Sequence, residues 1–182
     1  MPVTVRKGGR KSRLRGGELV EFTTVLIPLF AILFVLVDAS WAIFAKSSMM
    51  YAVRTAVRRG ITITGTQATA AGESLTDMVK DIVQQNANGF LNGSTNRAYI
   101  QVHYFAQDAT SATGLTDVST LSNGNAPGNL MQVSVNSYPL PALVGRIYGL
   151  FVPVDKNPSN LSAVSADMIE PSSDVPPIGS AP

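Results

Sequence analysis

Apolar residues crowd into one stretch near the N-terminus, and the rest of the chain alternates between helix-like and strand-like patterns. Residues 22–37, FTTVLIPLFAILFVLV, carry no charge. Asp38 interrupts them, residues 39–45 continue mostly apolar with Trp41 and Phe44, and the first lysine after the run is Lys46. The 24 residues of 22–45 make roughly 36 Å of helix at about 1.5 Å per residue. That crosses a hydrocarbon core of roughly 30 Å, where a single segment satisfies its own backbone only as a helix.

The pattern predicts that this helix outlasts the apolar run. Residues 46–59, KSSMMYAVRTAVRR, lack Gly and Pro, and Met49, Ala52, Val53 and Ala56 recur on one helical face. Arg54, Arg58 and Arg59 fall in the last turns, where cations suit the helix dipole, and Gly60 is a natural stop. Pro28 lies inside and predicts a kink or one loosened turn.

Beyond Gly60, residues 61–72 are small and polar and read as a linker. Ser74 caps a helix over about 73–90, with Leu75, Met78, Val79, Ile82 and Val83 on one face. Residues 98–107 alternate as a strand, with Ile100, Val102 and Tyr104 on one side and Tyr99, Gln101, His103 and Phe105 on the other. Residues 108–129 read as a long loop. Met131, Val133 and Val135 mark a second strand, stopped by Pro139 and Pro141. Residues 143–152 suggest a short apolar helix, 162–169 a third strand, and 171–182 a disordered, flexible tail. The fold class expected is α+β: a long N-terminal transmembrane helix, a second helix and a small antiparallel sheet.

Charge adds a direction. Residues 1–16 hold Arg6, Lys7, Arg10, Lys11, Arg13 and Arg15 with no acid, whereas residues 17–182 hold 8 basic against 12 acidic residues, a formal charge of −4. The positive-inside rule makes the six cations a topology signal: N-terminus in the cytoplasm, C-terminal body across the membrane. A secretory signal peptide shares a basic head and an apolar core. The run here is longer than such a core, and only weak cleavage sites follow, at Ala39-Ser-Trp and within residues 42–45. The basic leader is a nucleic-acid candidate by composition, but its place directly before a membrane helix favours the topology signal, so no nucleic-acid partner is expected.

The chain has no cysteine and one histidine. That excludes disulfides, thiol catalysis, Cys-ligated metals, multi-His sites and a lipid-modified Cys anchor; no cofactor is expected. His103 reads as an ordinary strand residue, and Asp77 and Asp81 as a solvated helix face beside Lys80. Gly8-Gly9 and Gly16-Gly17 are not phosphate loops, since no strand precedes either. The Asn92-Gly-Ser and Asn160-Leu-Ser triplets carry no information. Two acids flank the apolar run. Such residues are costly within a membrane, and the simplest reading takes Glu21 to one interface and Asp38 to the other.

The stretch Arg15-Gly16-Gly17-Glu18-Leu19-Val20-Glu21-Phe22 resembles a prepilin peptidase site: a basic leader ending in Gly, four residues, then Glu and an aromatic before a long apolar helix. With RGGELVEF followed by LVDASWAIFAKSSMMYAVRTAVRRG, the chain resembles the TadE-like minor pilins (pseudopilins) of tight-adherence pilus systems. Loosely similar features near the C-terminus are Tyr138-Pro-Leu-Pro-Ala-Leu and the run from Ser165 to Glu170-Pro171. Glu18, where small apolar residues are usual, and the lack of an acid before Gly60 depart from the family pattern.

The resemblance implies cleavage between Gly16 and Gly17 and removal of leader 1–16. A transmembrane and continuing helix over 17–60, a periplasmic α+β domain over 61–170 and a tail over 171–182 would remain. It implies that Glu21 pairs with the new amine of a neighbouring subunit, that Phe22 packs between helices and that Asp38 joins inter-helix contacts. The implied partners are prepilin peptidase, other pilin or pseudopilin subunits, the inner-membrane pilus assembly platform and the lipid bilayer, and the protein performs no chemistry. Two other classes compete: an unprocessed single-pass anchored accessory or binding protein, separated by whether the leader stays, and an anchored enzyme, which activity in residues 61–182 would reveal.

Overall fold

A computed structural model describes residues 14–144 and 159–179, with side chains described from residue 17. The long helix α1, Leu14–Gly60, is one uninterrupted α-helix of 47 residues that continues through Pro28. It is about 70 Å long at roughly 1.5 Å per residue. The kink or loosened turn expected at Pro28 does not end or divide it.

The burial of α1 changes at Ala45. From Leu19 to Phe44 most of its large apolar side chains are exposed, among them Phe22, Val25, Ile27, Leu33 and Leu36, while Leu26, Phe34 and Trp41 are half-buried. From Ala45 on, one face is sealed: Ala45, Met49, Ala52, Val53, Ala56 and Val57 are each 1% exposed or less. These positions repeat at three and four residues, the spacing that stacks side chains along one helical stripe.

That stripe packs on a small domain. Three short helices, α2 (Gly65–Ala71), α3 (Leu75–Asn86) and α4 (Ser94–Arg97), precede strands β1 (Ile100–Gln107), β2 (Leu115–Asp117), β3 (Leu130–Leu140) and β4 (Ser159–Met168). The strands form one sheet in the order β2-β1-β3-β4, every neighbouring pair antiparallel. Ile100 lies opposite Val135, Val102 opposite Val133 and Tyr104 opposite Met131, all six buried, so one sheet face carries the core. Leu75, Val79 and Val83 of α3 join it, and α1 lies over the same cluster.

Four sequence expectations are corrected. Residues 61–72 are not a plain linker: Thr64 and Gln67 form a reciprocal capping box that starts α2, and Gly72, in the left-handed region, ends it. Residues 108–129 contain β2, held by pairs such as Phe105 to Asp117. β3 does not stop before Pro139, which pairs with Asn160. A register shift between Val135 and Tyr138, with Ser137 at φ 51°, carries the strand past the end of β1. There its other side meets no strand, and a residue without an N–H is tolerated. Finally, residues 171–179 are not a loose tail. Asp174 O accepts from Gly65 N at 3.0 Å, Pro177 O from Leu75 N at 2.8 Å and Ile178 O from Thr76 N at 3.1 Å, and the Ile178 side chain is buried. The short helix expected over 143–152 lies mostly outside the described residues, of which Leu143 and Val144 are helical; residues 180–182 also lie outside them.

The α1 stripe is the main helix contribution to the core, so its two faces should respond differently to truncation. Met49→Ala removes a fully buried side chain and should cost about 2–5 kcal/mol. Tyr51→Ala, at a position 61% exposed, should stay within about 0.5 kcal/mol of the parent. Urea unfolding of the detergent-solubilised full chain measures both.

Candidate functional site

The candidate residues fall along α1. Gly17 lies in its first turns with open space where a side chain would begin. Glu21 is exposed, and Phe22 is 64% exposed on the same bare surface. Thr23 and Thr24 turn their hydroxyls inward, donating to Leu19 O and Val20 O at 2.8 Å each, which hides two polar groups from an apolar surrounding. Gly16 and Arg15 belong to the helix backbone, and Arg6, Lys7, Arg10, Lys11 and Arg13 lie outside the described residues. The segment Gly17–Gly60 contains the one helix among the described residues that is long and apolar enough to cross a membrane, and its most apolar window is wholly unburied.

Asp38 behaves differently from Glu21. It is half-buried, and its Oδ1 accepts a hydrogen bond from the Val144 backbone N–H at 2.9 Å. Val144 follows the end of β3 and is 8% exposed. The acid late in the apolar run therefore ties the helix to its own domain, 106 residues away in sequence. This bond gives the carboxylate a donor where water is scarce, which lowers the cost of placing an acid there.

An aromatic cluster sits one turn further along. The Phe90 ring lies 5.2 Å from Trp41 and 6.0 Å from Phe44, and Trp41 and Phe44 are 6.1 Å apart. Tyr138 Oη donates to Phe90 O at 2.8 Å, and Asn88 Nδ2 donates to Ser48 Oγ at 2.9 Å. Together with Asp38, these contacts clamp the turn after α3 and the end of β3 onto α1 where its bare half ends. The sequence showed Trp41 and Phe44 but held no signal for Phe90 or Val144 as their partners, because both contacts are long-range.

Among the described residues no reaction centre emerges from the other polar groups. His103 Nδ1 lies 3.0 Å from Asp117 Oδ2, but the Ser119 hydroxyl donates to the other oxygen of the same carboxylate, not to the imidazole. Ser119 is buried, and its oxygen also accepts from Tyr104 N at 2.8 Å. A nucleophilic serine needs a base strong enough to take its proton, and the Asp117 carboxylate, held below its ordinary value, is too weak a base for that. The Asp77 and Asp81 face, expected to be solvated, instead holds Arg97, which also bonds Gln84 Oε1 at 3.1 Å and pins α4 to α3. An open cleft of about 390 Å³ between residues 119–122 and 177–179 has no charged side chain in its lining. Among the described residues no group of His, Asp and Glu is placed to hold a metal ion.

Several of these carboxylates are held in the charged form. The Thr110 hydroxyl, then the Thr116 hydroxyl and Thr110 N–H, hold Asp108 down to about 2. The Ser74 hydroxyl, acting with Arg97 against partial burial, lowers Asp77. Burial works to raise Asp117, but Ser119 and His103 outweigh it and keep it low. The Thr66 N–H and hydroxyl lower Asp174, which is the tail's anchor. Burial pushes the Tyr104 hydroxyl up to about 12.

Residues 16–58 match the model of a family described as TadE-like protein, which agrees with the resemblance drawn from RGGELVEF and the helix after it. The matched segment begins at the glycine of the suspected cut and ends within the helical stripe that the domain covers. No curated protein and no solved structure matches the chain.

Two outcomes are expected. Asp38→Ala strands the buried Val144 N–H, so hydrogen exchange at that amide should quicken at least tenfold, in line with about 1–3 kcal/mol for an unsatisfied buried donor; Asp38→Asn, which keeps an acceptor, should change it less. Carboxyls whose folded pKa is depressed stabilise the fold above their unfolded value and lose that contribution as pH falls. The urea midpoint should be flat above about pH 5 and fall as pH drops from 3.8 toward about 2, the span of the Asp108 shift. Asp108→Asn should flatten the low end of that fall.

Proposed function

We propose that the chain is a TadE-like minor pilin or pseudopilin, a structural subunit that takes part in assembling a tight-adherence (Flp-type) pilus or a related secretion filament. The observation that carries this reading is one continuous helix with two surfaces: largely bare and apolar from Leu19 to Val37, then clamped through Asp38, Trp41 and Phe44 and sealed against a domain from Ala45 onward. A plain anchor needs only the first half. A subunit that must be drawn out of the bilayer and packed among like helices needs the domain fixed rigidly to the same rod.

In this reading residues 1–16 are a cytoplasmic leader, and prepilin peptidase cuts between Gly16 and Gly17, a reading supported by the open space around Gly17. The protein is that enzyme's substrate and performs no chemistry. α1 anchors it in the inner membrane with the domain on the periplasmic side, and the assembly platform and other pilin subunits are its partners. Glu21 pairs with the amine of a neighbouring subunit, an interaction strengthened by low dielectric, and so sets the helix register. Phe22 packs beside it, and Asp38 serves the helix–domain joint while its second oxygen stays available to a neighbour.

Glu21→Leu should therefore leave the chain inserted and its leader removed but lower pilus output at least tenfold. Membrane fractionation, N-terminal analysis and counting of surface filaments check the three parts. Full filament output from that variant contradicts the pairing role.

A further inference from the structure

Charge along the chain is segregated in a way that folding alone does not use. The outer half of α1 carries Lys46, Arg54, Arg58 and Arg59 and no acid, whereas residues 61–182 carry 9 acids against 4 bases, a formal charge of −5. Arg54 and Arg58 lie four apart on the face opposite the buried stripe, next to Tyr51, and all four cations are exposed. Among the described residues none of the four pairs with a carboxylate. Of the three arginines expected to suit the helix dipole, only Arg58 and Arg59 stand in the last turn; the effect fades beyond that turn and leaves Arg54 and Lys46 without that role.

Four of the nine acids stand at the end of the domain away from Asp38. Asp38 and Val144 mark one end of the helix–domain contact, and Gly60, whose surroundings are Val79 and Met131, marks the other. Met131 lies opposite Asp167 in the sheet, Ile169 N donates to Asn129 O, and Asp174 bonds the start of α2 just after Gly60. Asp167, Glu170 and Asp174 thus stand at the Gly60 end, with Glu73 in the turn between α2 and α3. Among the described residues none of these four is ion-paired to a cation.

We propose that the exposed basic face of α1, centred on Tyr51, Arg54 and Arg58, is an interaction surface that receives the acidic far end of a second copy of this chain, around Asp167 and Glu170. The inference rests on the pilin-like reading, because a shared membrane orientation makes the copies parallel and brings one helix flank beside the next domain. Both halves of the contact are on one chain and differ from each other, so the contact is heterologous. Such a contact repeats along a filament and does not close as a symmetric dimer. Lipid headgroups are the poorer occupant: Arg54 and Arg58 lie about 12 and 18 Å beyond Lys46 along the helix, past a screening length of roughly 8–10 Å.

The chain has no cysteine, so single reporters are unambiguous. Two tagged copies of the full chain, one with Tyr51→Cys and one with Ser173→Cys, are produced together in membranes containing prepilin peptidase and oxidised. A disulfide-linked mixed dimer is expected. Arg54→Glu/Arg58→Glu in the first copy should lower its yield at least fivefold, Asp167→Lys/Glu170→Lys in the second should do the same, and combining them should restore it to within twofold. Absence of a mixed dimer, a dominant dimer joined through position 51 on both copies, or failure of the combined reversal to restore the yield overturns the proposal. So does protection of the thiol at 51 by anionic but not zwitterionic vesicles, which assigns the face to lipid. The N-terminus is read in the same samples. A chain that begins at Gly17 yet gives no mixed dimer overturns the interface alone, while a chain that keeps residues 1–16 overturns the reading on which it rests.

Discussion

Everything in this molecule depends on one face of α1 between Ala45 and Gly60 being more useful buried than exposed. Met49, Ala52, Val53, Ala56 and Val57 are sealed by α3 and the inner face of the sheet. The small residues matter as much as the large ones. Ala52 and Ala56 let the domain approach the helix backbone, and Gly60 leaves no room for more, since a side chain there would start 2.8 Å from Val79 Cγ2 and 2.9 Å from Met131 Sδ. The domain alone offers a single sheet face with thin cover, and small domains bury too little surface to be generous. The helix that serves as its anchor is therefore also a layer of its core.

That dual use explains the junction. A rod with a loosely strung domain would transmit nothing from the membrane to the outer surface. Here Asp38, Trp41, Phe44 and Ser48 fasten the helix to Val144, Phe90 and Asn88 just where the bare segment ends. The polar constellations elsewhere do structural work of the same kind. Arg97 joins α3 to α4, Asp117 joins β2 to the Ser119 turn, and Asp174 fixes the returning tail beside α2. The domain's polar groups are spent on holding short elements together without disulfides, which fits an assembly subunit.

Much of this was legible in the sequence where the signal is periodic. The apolar run, the stripe Met49-Ala52-Val53-Ala56, the capped helix after Ser74 and the alternation in β1 and the start of β3 are local patterns, and each appears where expected. What escaped was either a short local signal or a distant pairing. Thr64 and Gln67 spell a capping box, but small polar residues around them masked a helix of 7 residues. β2 has 3 residues, and no pattern that short stands out. Pro139 looked like a stop because a proline is judged by its missing N–H, and only the sheet order reveals that this side meets no strand. The ends of the Asp38 to Val144 and Thr66 to Asp174 bonds lie more than 100 residues apart. Among the site residues, Gly17, Glu21 and Phe22 stand exposed on a helix that starts at Leu14 rather than at Gly17, and the leader cations other than Arg15 lie outside the described residues.

The account stands or falls on whether α1 begins its working life at Gly17. The N-terminal residue and intact mass of the membrane-extracted chain, taken with and without a prepilin peptidase, test this directly. The account predicts a chain that starts at Gly17 when the peptidase is present and keeps residues 1–16 when it is not. A chain that keeps residues 1–16 in both cases contradicts it and leaves a plain membrane anchor, and a cut near Ala45 contradicts it by releasing the domain from its own core helix.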